Sequence, residues 1–117
     1  MNNKNNKGYM MLLDTDYSLV NKSFENVCHL ISETFCGHKS VKIGDETFDL
    51  YFDDEFLSKD YKINKLATLV AKELIMGDAF LAKRGFDENY EQLSLMLTKQ
   101  EANELMKIII EEKNKNK

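Results

Sequence analysis

The stretch 39–55, KSVKIGDETFDLYFDDE, decides the class of fold. Val41 and Ile43 alternate with polar neighbours, and after Gly44-Asp45 the residues Phe48, Leu50 and Phe52 alternate with Asp49, Tyr51 and Asp53. Side chains two apart in an extended chain share a face. A Gly-Asp pair between two such runs supplies the backbone freedom a tight turn needs. The stretch predicts a β-hairpin with one face in a core and the other acidic and wet.

Working outward, YMMLLD (residues 9–14) is a short apolar run that suits a strand buried on both faces. From about Ser18 to Cys36 the residues Val20, Phe24, Val27, Ile31 and Phe35 fall at helical spacing, with Asp16 or Ser18 as cap and Gly37 as stop. Beyond the hairpin, FLSKDYKIN (residues 56–64) reads as a loop and NKLATLVAKEL (residues 64–74) as a helix. IMGDAFLAKR reads as a strand entered at Gly77, GFDENYE as a turn, and Leu93, Leu95 and Leu97 as a returning strand. Thr98 to Glu101, TKQE, is a capping box before a helix whose stripe is Ala102, Leu105, Met106 and Ile109. The order β-α-β-β-α-β-β-α predicts an α+β fold: a mostly antiparallel sheet of about five strands with three helices.

At 117 residues the chain suits a single domain, 8–112, with polar, aperiodic tails at 1–7 and 113–117 read as disordered. Its apolar runs fall far short of the ~20 residues a membrane span needs. The short apolar stretch near the N-terminus meets Asp14 and Asp16 too soon for a signal peptide. A cytoplasmic protein with free thiols is expected. Lysine and asparagine are frequent, as in coding from an AT-rich genome. Of the sixteen lysines and arginines only Arg84 is an arginine, and the net charge is −4. A sequence-specific DNA reader needs arginine forks and a basic face, so that class is excluded.

Every cysteine and histidine lies in one segment: Cys28, His29, Cys36 and His38. On one continuous helix, Cys28 and Cys36 stand about 12 Å apart along the axis. That is too far for a shared metal or a disulfide. Only Cys36 and His38 are placed to meet, and a thiol at a helix C-terminus faces the wrong end of the dipole for activation. Acid is concentrated in and after the hairpin, at Asp45, Glu46, Asp49, Asp53, Asp54, Glu55 and Asp60. This fits a solvated face, an acidic interaction face, or a divalent-cation site at Asp53, Asp54 and Glu55, though no EF-hand spacing accompanies it. Carboxylates along a strand repeat at about 6.6–6.8 Å, close to the phosphate spacing of a nucleic-acid strand. The candidate partner-binding set is Asp45, Glu46, Asp49, Tyr51, Asp53, Asp54 and Glu55. Nucleotide-binding, zinc-protease and serine-hydrolase motifs are absent. No catalytic residue, cofactor or metal is expected.

The stretches YFDDEFLSKDYKINKLAT, ELIMGDAFLAK and LSLMLTKQEANELM resemble an uncharacterised family of small proteins carried by phages, plasmids and integrative elements of low-GC bacteria. The matching positions are Asp53 to Glu55, Asn64, Gly77 to Ala79 and Leu97 to Ala102, within about residues 50–106. The chain departs from the pattern in its longer second helix and its cysteine–histidine segment. The resemblance implies a mobile-element accessory protein. The expected function is non-catalytic binding of a host or defence-system protein, without direct nucleic-acid or membrane contact. Its sharpest form is a counter-defence (anti-CRISPR-like) inhibitor whose acidic face fills the basic groove of a nucleic-acid enzyme. The alternative is a small metal- or thiol-dependent enzyme using Cys36 and His38.

Overall fold

In the computed structural model, which describes residues 6–32 and 36–115, the hairpin forms as two eight-residue strands. Cys36–Ile43 (β3) and Glu46–Asp53 (β4) pair in register from Ile43 opposite Glu46 to Cys36 opposite Asp53. Gly44 turns the chain at φ 64°, a left-handed conformation that glycine adopts without steric cost. Val41, Ile43, Phe48 and Leu50 are buried on one face of the pair.

Five more strands complete an antiparallel sheet: Lys7–Leu12 (β1), Tyr17–Val20 (β2), Ala79–Phe86 (β5), Gln92–Leu95 (β6) and Leu97–Thr98 (β7). The order across the sheet is β2-β1-β5-β4-β3. β5 is long enough to pair β1 through Ala79–Leu81 and β6 through Lys83–Phe86, while β7 closes onto the start of β1. Among the described residues the fold is therefore α+β with three α-helices, but with seven strands rather than about five, in the order β-β-α-β-β-α-β-β-β-α rather than β-α-β-β-α-β-β-α.

The helices cover both faces. Lys65–Ala71 (α2) and Lys99–Lys115 (α3) bury Leu66, Ala67, Val70, Leu105 and Ile109 against Met10, Leu12, Leu50 and Leu81. On the reverse face Phe24–Ile31 (α1) sets Val27 and Ile31 against Tyr9, Met11 and Phe80. Neighbouring residues of β1 and β5 thus serve opposite layers. This is why YMML reads as a continuous apolar run. The capping box forms as read: Glu101 N–H donates to Thr98 Oγ1 at 3.1 Å, and Thr98 N–H to Glu101 Oε1 at 2.8 Å.

The segment 18–36 differs from its reading. Tyr17–Val20 is the edge strand β2, because its backbone groups find the free side of β1. The helix begins only at Phe24, where Ser23 Oγ accepts from Asn26 N–H at 3.2 Å. It ends at Ile31, and Cys36 already belongs to β3. Phe35, the last residue of the expected stripe, lies outside the described residues. Gly37 is not a helix stop. It sits where an added Cβ would stand 2.7 Å from Asp54 Oδ1. The tails assigned at 1–7 and 113–117 lie partly outside the described residues, but Lys7 opens β1 and α3 continues to Lys115. No described helix is long and apolar enough to cross a membrane.

Candidate functional site

The seven residues expected to form one acidic face are separated by the fold. Asp49 and Asp53 alternate with the core residues of β4 as read, yet both are buried rather than wet, at 0% and 1% exposure. The reverse face of the sheet carries its own layer, and each of the two carboxylates has a cation over it. Arg84 donates from its terminal nitrogen to Asp49 Oδ1 at 2.7 Å, and Gln92 Nε2 donates to Oδ2 at 3.0 Å. The same guanidinium reaches Ser40 Oγ. The chain's one arginine is thus committed to neutralising a buried acid. Tyr51 stacks on Phe80 at 5.0 Å and meets Phe24 edge-on at 4.9 Å, while its hydroxyl pairs with Ser94 Oγ at 2.6 Å. It is a core aromatic, not an exposed anchor.

Four of the seven stay exposed: Asp45 and Glu46 at the β3–β4 turn, Asp54 and Glu55 just past β4. The eight-residue strand between the pairs spans about 26 Å. A continuous row of carboxylates at phosphate spacing does not exist.

Asp53 instead anchors a loop. Lys59 Nζ lies 2.6 Å from its Oδ2, Tyr61 Oη donates to the same oxygen at 2.8 Å, and Glu55 N–H donates to Oδ1 at 2.9 Å. Burial alone would raise the pKa of this carboxyl. The three donors outweigh it and hold the group below the usual carboxylate range. The loop so fixed carries Asp54, Glu55 and Asp60 to the end of the sheet where β1 and β4 finish and β2, β3 and β5 begin. Asp14 and Asp16 arrive there in the β1–β2 turn and Asp78 just before β5.

Between these loops lies an open cleft of about 390 Å³. Asp14, Asp60 and Asp78, with Lys62 as the one cation among them, line it together with Leu13, Leu30 and Ile63. The last three are 41%, 53% and 52% exposed, large apolar side chains standing in water inside an acidic rim. Asp14 and Ile63 also line a second, more apolar groove of about 580 Å³ between α2 and α3, where Leu69, Met106 and Ile110 are exposed or half-buried.

The cleft is held by Asn64, 2% exposed. Its Nδ2 donates to the carbonyls of Leu12 at 2.8 Å and Gly77 at 2.9 Å, and its Oδ1 accepts from Ala67 N–H at 3.0 Å. One side chain thereby ties the end of β1, the turn before β5 and the start of α2. Asp14 adds a second tie, its Oδ1 accepting from Lys65 N–H at 3.0 Å. Composition alone would not have found this site. Leu30 lies off the Phe24–Val27–Ile31 stripe, but a single exposed leucine is ordinary on a protein surface and marks no site by itself.

The cysteine–histidine segment does not converge on a metal. Among the described residues, no group of three or more His, Cys, Asp or Glu is placed to hold an ion. His38 lies beside the Tyr51 ring at 5.5 Å, and the Cys36 thiol donates to the Cys28 carbonyl oxygen at 3.6 Å. Burial, followed by the Cys28 thiol, drives Cys36 far above the ordinary thiol range. Burial also raises Cys28, in part offset by a hydrogen bond from Cys36. Neither cysteine has the stabilised thiolate of a resting nucleophile.

Comparison with protein-family models, curated proteins and solved structures finds no match to this chain.

Proposed function

We propose that the protein is a non-catalytic binding module whose acidic, apolar-centred cleft receives a basic segment of a partner protein. The observation that carries this reading is the exposure of Leu13, Leu30 and Ile63 within a rim that includes Asp14, Asp60 and Asp78. Apolar side chains give a partner something to desolvate, and a carboxylate rim steers and selects a cationic one. The adjoining α2–α3 groove extends the apolar track. A short partner segment with lysine or arginine beside two or three large apolar residues complements the cleft, with its apolar residues continuing along the groove, which Lys65 and Lys113 flank. Thiols held protonated by burial give no support to the Cys36–His38 enzyme.

The sharpest form of the proposal is a partner with a basic groove, such as a nucleic-acid enzyme of a host defence system. That form draws on the resemblance of about residues 50–106 to mobile-element proteins. It places the interaction at Asp14, Asp54, Glu55, Asp60 and Asp78 rather than along β4.

The test is affinity capture from lysate of a low-GC bacterium, read by mass spectrometry, with two variants of equal charge change. Asp60→Lys/Asp78→Lys should abolish capture of a basic protein, whereas Asp45→Lys/Glu46→Lys at the far end of the sheet should retain it. Equal loss in both, or in neither, would refute the site.

A further inference from the structure

Cys28 and Cys36 are eight residues apart in sequence but belong to different elements, the last turn of α1 and the first residue of β3. The Cys28 carbonyl accepts from Ser32 N–H at 3.0 Å as the helix ends, and the Cys36 thiol reaches the same oxygen at 3.6 Å. Both cysteines are half-buried and free, and both line an open cleft of about 380 Å³ between α1 and the sheet, with Phe24, Glu25, His29 and Tyr51. Two thiols that open on one cleft, one of them 3.6 Å from the other residue's carbonyl oxygen, are placed for a disulfide to close by side-chain rotation.

We propose that Cys28 and Cys36 form an intramolecular disulfide when the protein meets a small-molecule disulfide of the glutathione class, with Cys28 attacking and Cys36 resolving. In the first step the Cys28 thiol loses its proton to solvent, and its sulfur attacks one sulfur of the oxidant. The S–S bond of the oxidant breaks, and one thiol leaves after taking up a proton. In the second step deprotonated Cys36 attacks the Cys28 sulfur of the mixed disulfide and expels the second thiol. The oxidant gains two electrons and two protons, and the protein dithiol loses them. The order of attack follows from the geometry: the Cys36 thiol is tied to the Cys28 carbonyl oxygen, which leaves Cys28 the freer of the two to meet the oxidant. The bond would tie α1 to β3. Leu30 and Ile31, two and three residues beyond Cys28, form a wall of the acidic cleft, so closure would stiffen that wall. The proposal does not rest on the docking reading.

The test uses the native, full-length chain in glutathione buffers of increasing oxidised fraction, quenched by alkylation and read by intact and peptide mass. The wild type should lose two hydrogens, join the peptides of Cys28 and Cys36, retain no glutathione and show a higher Tm than its reduced form. Cys36→Ala should accumulate glutathione on Cys28, and Cys28→Ala should leave Cys36 unmodified. Two thiols still free in the most oxidising buffer would overturn the proposal. So would stable glutathione on both cysteines, a dimer linked between chains, or a disulfide formed only in denaturant. The wild-type mass and Tm decide the matter even where an alanine variant fails to fold.

Discussion

Replacing Asn64 by alanine removes the device that holds three loops around the acidic cleft. The lost side chain leaves the Leu12 and Gly77 carbonyls and the Ala67 N–H without the partners they have at 2.8, 2.9 and 3.0 Å. The longer contact to Asp14 N–H at 3.3 Å adds little. At about 1 kcal/mol for each good bond, more where a buried group is left unpaired, the expected loss is about 3 kcal/mol. The helix-capping part of that agrees with the ~1 kcal/mol typical of an Asn N-cap. Against a total of about 5–15 kcal/mol for a domain, this is a large fraction. With a urea m-value of about 1.5 kcal/mol/M, the unfolding midpoint should fall by about 2 M at unchanged slope. Asn64→Asp should be worse at neutral pH, because it keeps the acceptor for Ala67 but turns a second oxygen towards two carbonyls. Burial raises its folded-state pKa, so this variant should regain stability as pH falls through that value. A midpoint shift below about 0.5 M for Asn64→Ala, or an aspartate variant as stable as wild type at pH 7, would refute the reasoning. Hydrogen exchange gives a local check: protection of Ala67 and Asp14 N–H should drop before that of β4.

Two further outcomes follow from the buried acids. Asp49 has Arg84 as its one ion-pair partner in the described structure, so Arg84→Met should destabilise the fold more than the double variant Arg84→Met/Asp49→Leu, measured by thermal unfolding. A double variant as damaged as the single would show that the pair is not coupled. Asp53 and Glu101 both titrate below their ordinary values in the folded chain, burial pushing them up and their lysine partners together with backbone and hydroxyl donors more than reversing it. A depressed folded pKa contributes stability above the unfolded value and loses it as pH falls through the folded one. Stability should therefore decline below about pH 4, and Asp53→Asn should flatten that decline; an unchanged acid profile would count against the Lys59–Tyr61–Asp53 arrangement.

Local chemistry was legible in the sequence wherever one element fixed it. The β3–β4 hairpin follows from period-two alternation around Gly44-Asp45, and α3 follows from a capping box whose two bonds form within four residues. The segment 18–36 is helical only over Phe24–Ile31, because Val20, Phe24, Val27 and Ile31 fit helical spacing whether or not the chain is helical throughout. Val20 is in fact apolar because it pairs with Tyr9 at the sheet edge. That register depends on a strand eleven residues away, and helical periodicity carries no record of it. The same error placed the two thiols 12 Å apart on one axis, when the break after Ile31 returns Cys36 to the side of Cys28.

The acidic face failed for a different reason, which bears on how such a chain recognises anything. Alternation reports that Asp49 and Asp53 point away from the Phe48–Leu50 core, but not whether that direction is solvent. Here it is a second layer, built by α1 and by Tyr9, Tyr51 and Phe80, and burying a carboxylate there requires a cation and donors of its own. Arg84 lies two residues beyond Ala82, opposite Asp49, and Lys59 lies in the loop that Asp53 itself anchors. Two of the charges that look like a recognition surface in the sequence, Asp49 and Asp53, are thus consumed in building the sheet. What remains for a partner is a set of exposed carboxylates on loops at one end of the sheet, beside Leu13, Leu30 and Ile63, which no layer covers. If the protein binds a basic segment, selectivity should therefore follow variants in those loops, and variants at Asp49 or Asp53 should act through stability alone. Comparing binding at temperatures well below each variant's Tm separates the two. A folded Asp53→Asn that binds normally is the expected result, and a folded Asp53→Asn that has lost binding would return the site to β4.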